Sequence, residues 1–180
     1  SPDIQLHFAF SMVDQHGLKK HGRGGFTCHI CVLRPKSVGS VKLADANPNS
    51  PPLIDPAFLK DERDLDTMLA GVKQAQQIMQ APSFDAHRGK ALYAGASNDD
   101  EELKEDIRNR ADTIYHPVGT CKMGPDSDPN AVVDQRLRVR GIKSLRVIDA
   151  SIMPKIVSGN TNAPSIMIGE KGAHMILEDA

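Results

Sequence analysis

Ile4-Gln5-Leu6-His7-Phe8-Ala9-Phe10 alternates large apolar side chains with polar or small ones, the period of two that a strand with one buried face requires. Downstream, Ser11 to Gly25 carries His, Lys and Gly with no period and reads as a mobile loop. Phe26 to Leu33 is a second strand, apolar and β-branched on both faces, ended by Pro35 because proline cannot donate to a ladder. Val38 to Leu43 is a third, placed to pair with its predecessor. Ala44 to Pro56 contains Asn47-Pro48, Pro51-Pro52 and Asp55-Pro56 and reads as loop throughout.

Helices flank this sheet. Leu65, Met68, Leu69, Val72, Ala75 and Met79 fall on one stripe of a 3.6-residue period. Asp61, Glu62 and Asp64 crowd the first turn, where the helix dipole favours acids, and Pro82 follows the end. A second helix is expected near Ser97, with Asp100 as capping-box partner and Leu103 and Ile107 facing inward. After residue 110 the chain becomes turn-rich. Val132-Val133-Asp134 and Leu137-Arg138-Val139 are short strand candidates, and Leu145-Arg146-Val147-Ile148-Asp149 is an apolar strand ending on an acid. A last helix starts near Pro164, a favoured first-turn proline, with Ile166, Gly169, Ala173, Ile176 and Leu177 as its inward stripe. The class is α+β, an antiparallel sheet flanked by helices.

Composition excludes several functions. With 22 basic and 23 acidic side chains in 180 residues, the formal net charge is −1, and no basic surface for nucleic acid is expected. No apolar stretch approaches the roughly 18 residues of a membrane span, and no signal-peptide pattern opens the chain. Three cysteines make no disulfide framework, which points to a reducing, cytoplasmic compartment, with a peripheral seat on the inner membrane compatible with it. Tryptophan is absent and aromatics are 4%, leaving little for stacking platforms.

Among residues that could do chemistry, Cys28-His29-Ile30-Cys31 resembles a metal motif. Residues three apart in a strand face opposite ways, however, and no second pair completes four zinc ligands. It reads as core strand, and no metal is expected. His7, His16 and His21 read as solvated surface residues. No nucleophile elbow, phosphate loop, HExxH or GxGxxG pattern is present. His116 stands out, between Tyr115 and Pro117 and shortly before Gly119-Thr120, where backbone can approach a ligand. Cys121 reads as a small core residue.

Three stretches surround it: His116-Pro117-Val118-Gly119-Thr120-Cys121-Lys122-Met123-Gly124, then Leu145 to Pro154, then Gly159-Asn160-Thr161-Asn162-Ala163-Pro164-Ser165-Ile166-Met167-Ile168-Gly169-Glu170-Lys171. In combination they resemble the C-terminal region of the glucose–methanol–choline (GMC) flavoprotein oxidoreductases, on the side of choline dehydrogenases and aliphatic alcohol dehydrogenases. Arg34 to Val41 and Ile54-Asp55-Pro56 resemble that family's substrate-domain sheet, so the likeness covers nearly the whole chain.

The resemblance implies an FAD-dependent alcohol oxidoreductase. His116 matches the active-site base, which takes the hydroxyl proton while hydride passes from the alcohol carbon to flavin N5. Imidazole titrates near ~6.5 and so suits that task at neutral pH. Asn160 matches the second member of the catalytic pair. As an amide it can only hydrogen-bond and hold the substrate oxygen. Asp149 and Ala150 match positions against the flavin, and Thr161, Asn162 and Ala163 match the turn whose backbone faces the isoalloxazine. A helix starting there offers free N–H groups and a positive dipole end to an anionic reduced flavin, while simple capping by asparagine would also explain the residues.

The dinucleotide fingerprint for the ADP half of FAD is missing. The resemblance therefore implies the C-terminal part of a longer enzyme, with residues 1–144 as a substrate-binding domain carrying the catalytic His and 145–180 returning to the FAD-binding domain. Alone, such a fragment is expected to hold FAD weakly or not at all and to show no turnover. Expected partners are an alcohol substrate and an electron acceptor for the reduced flavin. Choline needs an aromatic cage, for which two Tyr and five Phe are sparse material. A primary aliphatic alcohol is the better expectation, with choline as rival. A non-catalytic ligand- or protein-binding module is the alternative, disfavoured because it would not need both His116 and Asn160. A hydrolase built on His116 lacks a nucleophile motif.

Overall fold

The computed structural model describes Ser1 to Ala180 apart from residues 20 and 23, with backbone alone at 16, 94 and 95. The chain divides into two compact units, Ser1–Val38 with Ala57–Asp112, and Gly39–Pro56 with Thr113–Ala180. Among the described residues the secondary structure is α+β, with short antiparallel sheets and three α-helices.

In the first unit, β1 (Ile4–Ala9) and β2 (Thr27–Val32) pair antiparallel, Ile4 opposite Val32 and Ala9 opposite Thr27. Helix α1 (Glu62–Met79) carries the expected stripe: Leu65, Leu69, Val72 and Ala75 are buried. With Leu103 and Ile107 of α2 (Asp100–Arg110) the first three form one core cluster, against which Ile30 of β2 and Met68 pack. The expected one-faced alternation in β1 is not found: its residues are half-buried on both faces except exposed Phe8, and Phe10 beyond it is 93% exposed. A two-stranded ribbon has too little neighbouring sheet to seal either face. Phe8, Phe10, Phe26 and Phe84 gather instead into one ring cluster, with centroids 5.3 to 6.5 Å apart.

The first-turn acids of α1 do more than answer the dipole. Asp61 caps the helix, accepting from the Arg63 N–H at 3.1 Å, and the Arg63 guanidinium beside it lowers its carboxyl to about 2. Asp64 is buried and accepts from the N–H groups of Lys36 and Ser37, both at 2.8 Å, and from the Ser37 hydroxyl at 2.5 Å. The Ser37 Oγ in turn accepts from the Asp61 N–H at 3.0 Å. This knot fixes the turn after β2 onto the start of α1. Helix α2 is capped by Asp99, not Ser97: the Asp99 carboxylate accepts from the N–H groups of Glu101 and Glu102, both at 3.0 Å. Ser97 supports that cap from outside, its Oγ accepting from the Asp99 N–H.

Part of the loop expected over 11–25 is structured. Gln15–Gly17 forms a 3-10 turn, and Asp14, 5% exposed, anchors it. The Asp14 carboxylate accepts from the Tyr93 hydroxyl (2.8 Å) and lies 3.0 Å from Arg110 and 3.2 Å from His21. The Tyr93 hydroxyl first, then His21 and Arg110, hold this carboxyl well below the usual carboxylate range against the opposing effect of burial. The Arg110 guanidinium also lies 3.7 Å from the Tyr93 ring centre, a cation–π contact. His21 is therefore half-buried beside the Asp14 carboxylate and not fully solvated, and His7 is half-buried with its Nε2 3.7 Å from the Cys31 sulfur. The His16 side chain and residues 20 and 23 lie outside the described residues.

In the second unit, β3 (Ser40–Lys42) pairs antiparallel with β4 (Leu53–Asp55), Ser40 opposite Asp55. Both differ from expectation, since β3 does not pair with β2 and β4 lies inside the stretch read as loop. The flanking Pro52 and Pro56 sit just outside β4, where they remove no ladder bond. Gly39 admits this pairing: a Cβ there would stand 2.1 Å from the Asp55 carbonyl oxygen.

The strands expected at 132–134, 137–139 and 145–149 form isolated bridges only, Val133 with Met123 and Val139, and Arg138 with Arg146. Tight turns keep the ladders this short. The Asp134 carboxylate binds the N–H groups of Arg136 and Arg138, and Leu137 and Ser144 adopt left-handed φ of 64° and 59°. Val133, Leu137, Ile152, Met153 and Ile168 make the second core. Helix α3 (Asn162–Glu178) buries Ile168 and Gly172 there, and a Cβ on Gly172 would lie 2.3 Å from Ile148 Cγ2. The expected inward stripe is corrected: Ile166 is 59% and Leu177 75% exposed, and Ile176 is exposed too. The helix is apolar on two sides, so periodicity alone does not choose which one packs. No helix among the described residues is long and apolar enough to cross a membrane.

Candidate active site

The candidate residues lie in three segments of the second unit, and hydrogen bonds tie them together. The segment after His116 docks on the 149–152 turn: the N–H groups of Gly119 and Cys121 both donate to the Ser151 carbonyl at 3.1 Å, and Met123 N–H donates to the Ile152 carbonyl at 2.8 Å. Asp149 caps that turn, a 3-10 helix over Ala150–Ile152, by accepting from the Ser151 N–H at 2.7 Å. Ile152 and Ile168 share the core cluster, which holds the turn against α3.

His116 is half-buried, and its Nδ1 lies 2.8 Å from the Thr161 hydroxyl oxygen and 3.4 Å from the Thr161 nitrogen. The histidine is thus fastened to the start of α3. Tyr115, immediately before it, has φ of 63°, a conformation costly for a bulky residue and most often kept at functional sites.

Thr161 is the N-cap of α3 and is 8% exposed, yet its side chain makes no capping bond. Its carbonyl accepts from Ser165 twice, from the N–H at 3.0 Å and from the hydroxyl at 2.6 Å. Simple asparagine capping therefore does not account for the run 160–163. Asn160, Asn162 and Ala163 are exposed beside Thr161, and Asp149 is exposed and Ala150 half-buried at the turn. The backbone joins Asn160 to the Thr161–His116 contact, while Asp149 and Ala150 are connected to it through Ser151. The contact from the Thr161 side chain to His116 was not foreseen from sequence, where only the backbone of Thr161 had a role. The one sequence signal was a threonine where capping explains it too easily.

Cys28 and Cys31 lie half-buried in β2, where burial pushes both thiols up and away from the thiolate a metal needs. Among the described residues, no group of three or more His, Cys, Asp or Glu side chains could hold a metal ion. Cys121 is half-buried within the docked segment.

The family model for GMC oxidoreductase matches residues 35–169. An alcohol dehydrogenase [acceptor] of Pseudomonas putida is 50% identical over 177 residues, 98% of this chain and 32% of that protein. The mitochondrial choline dehydrogenase of Mus musculus is 44% identical over 97% of this chain and 30% of its own length, so the chain spans about a third of these curated relatives. Among solved structures, a formate oxidase of Aspergillus oryzae RIB40, described for a mutation's effect on FAD modification, superposes with a TM-score of 0.86 at 27% identity, covering 99% of this chain and 32% of that one. The family match runs from Pro35 through His116 and Asn160 to Gly169 of α3, and this chain belongs to the GMC oxidoreductases.

Proposed function

We propose that these residues form the substrate-side catalytic part of an FAD-dependent alcohol oxidoreductase, with His116 as the base that takes the hydroxyl proton of a primary aliphatic alcohol. The observation that carries this reading is the 2.8 Å contact between His116 Nδ1 and Thr161 Oγ1. It sets the imidazole beside the N-terminus of a 17-residue helix, whose positive end favours negative charge developing on the substrate oxygen and the reduced flavin. With Nδ1 engaged, Nε2 is the nitrogen left to receive the proton. Asn160, adjacent and exposed, hydrogen-bonds the substrate oxygen and holds it in line with that nitrogen.

The residues present fit a flavin. The Thr161 side chain makes no capping bond, which leaves the N–H groups of Asn162 and Ala163 to face an anionic ring edge, with Asp149 and Ala150 at the adjoining turn; Pro164 has no N–H, and that of Ser165 donates to the Thr161 carbonyl. When bound, FAD supplies the hydride acceptor at N5. Turnover would also require an electron acceptor for the reduced flavin. The exposed apolar side of α3, with Ile166, Met167 and Leu177, supports a division in which residues 1–144 bind substrate and 145–180 return to an FAD-binding domain. In that arrangement residues 1–180 alone hold FAD weakly and do not turn over.

Two observations favour an alcohol over choline. Identity is higher to the Pseudomonas putida alcohol dehydrogenase than to the mouse choline dehydrogenase. The aromatic rings are also largely spent on each other: four phenylalanines form one cluster, and the Tyr93 ring is covered by Arg110. In the full-length flavin-loaded enzyme, kcat/KM for short primary alcohols should exceed that for choline by about tenfold or more, the scale set by an unmade cation–π cage. Equal or higher kcat/KM with choline would overturn the substrate assignment.

A further inference from the structure

We infer that Thr161 is a positioning residue for His116: its hydroxyl accepts the Nδ1 proton of the imidazole, fixing the tautomer that leaves the Nε2 lone pair open to the substrate hydroxyl. The inference rests on the reading of His116 as the base. A threonine at the N-cap of a helix ordinarily turns its hydroxyl onto the N–H of the second or third helical residue. Here that bond is absent, the side chain is almost wholly buried, and its oxygen lies 2.8 Å from the imidazole instead. A hydrophilic atom turned away from its usual partner toward a functional histidine serves the histidine.

The surroundings make the contact rigid. The two bonds from Ser165 pin the Thr161 carbonyl, and the β-branched side chain has restricted χ1 freedom. On the other side, the segment after His116 is held by the two N–H bonds to the Ser151 carbonyl. Which imidazole nitrogen carries the proton is set by the partner of the other. Two groups of Thr161 face Nδ1: the hydroxyl at 2.8 Å, which can donate or accept, and the backbone N–H, which can only donate and lies at 3.4 Å. A base acting through Nε2 needs its proton on Nδ1, and of these two groups only the hydroxyl can accept a hydrogen bond from it. When Nε2 takes the proton of the alcohol O–H, the ring becomes a cation with both nitrogens protonated, and the Nδ1–H···Oγ1 bond is kept. No reorientation accompanies proton uptake.

The test uses the full-length flavin-loaded enzyme. Thr161→Val should lower kcat on the order of 10- to 100-fold, by analogy with the loss when the outer hydrogen-bond partner of a metal-bound histidine is removed. KM and flavin content should be little changed, and Thr161→Ser should restore most of kcat. A Thr161→Val enzyme with wild-type kcat would overturn the inference, and so would a serine variant as slow as the valine one. Should the valine variant fail to load flavin, the wild type decides. In histidine-labelled enzyme, the His116 nitrogen shifts should report a protonated Nδ1 and a bare Nε2, whereas protonation on Nε2 in the neutral ring overturns it. His116→Ala, run alongside, separates the two readings: full activity there sinks the base assignment itself, whereas loss of activity there with normal Thr161→Val rates sinks only the role of Thr161.

Discussion

His116→Ala should lower kcat by about three orders of magnitude in the flavin-loaded enzyme, within the 10²–10⁴ range that a positioned general base contributes. KM should change little, because the proton is transferred in the transition state and not in the bound ground state. The fold should tolerate the change. His116 is half-buried and outside the cluster of Val133, Leu137, Ile152, Met153 and Ile168, and what is lost is a side-chain bond to Thr161. Normal flavin content with a collapsed kcat is therefore the expected pair of readouts. A kcat within threefold of wild type would remove His116 from the mechanism. Asn160→Ala, which deletes a positioning amide and no base, should cost less than His116→Ala.

Asp64→Ala should give the largest loss of stability among the polar substitutions considered. One buried carboxylate accepts three hydrogen bonds from Lys36 and Ser37, and bonds to a charged group contribute about 1.5–3 kcal/mol each, net of exchange with water and not additively. Because the Lys36 side of the turn reaches water, the net cost should be about 3 kcal/mol, and it should be local first. Amide hydrogen exchange at Lys36 and Ser37 should accelerate about 100-fold, as the turn after β2 detaches from α1. Unchanged protection at both amides would contradict the account of the knot. Asp61→Ala makes a useful contrast, since it removes the N-cap bond and an ion pair with an exposed Arg63 side chain and should cost less, on the scale of one lost helix N-cap.

The elements visible in the sequence are those whose own residues decide them. The stripe Leu65, Leu69, Val72 and Ala75 is helical and buried as read, because α1 has one apolar side and one place to put it. Where a segment offers two answers, the reading fails. Helix α3 is apolar on two sides and buries Ile168 and Gly172, not the stripe through Ile166 and Leu177. β4 was hidden because three residues between prolines carry almost no period, and its pairing with β3 depends on Gly39 letting the Asp55 carbonyl approach. Asp14 and Asp64 looked like ordinary acids, since nothing local shows that Tyr93, Arg110 and His21, or a turn some 27 residues away, will converge on them. The site was legible through its resemblance to a family more than through spacing. His116 and Asn160 were placed by motif, whereas the bond from Thr161 to His116 crosses 45 positions and is a product of packing between the 149–152 turn and α3.

The central claim is that a flavin held by the full-length protein takes electrons from an alcohol whose proton goes to His116. A visible absorption spectrum of that protein, recorded without oxygen before and after addition of a primary aliphatic alcohol, tests it most directly. The flavin band should bleach in the wild type and bleach far more slowly in His116→Ala. A band that persists in the wild type with every alcohol and with choline, or a full-length protein that takes up no flavin even when FAD is supplied, would contradict it and favour a non-catalytic binding module.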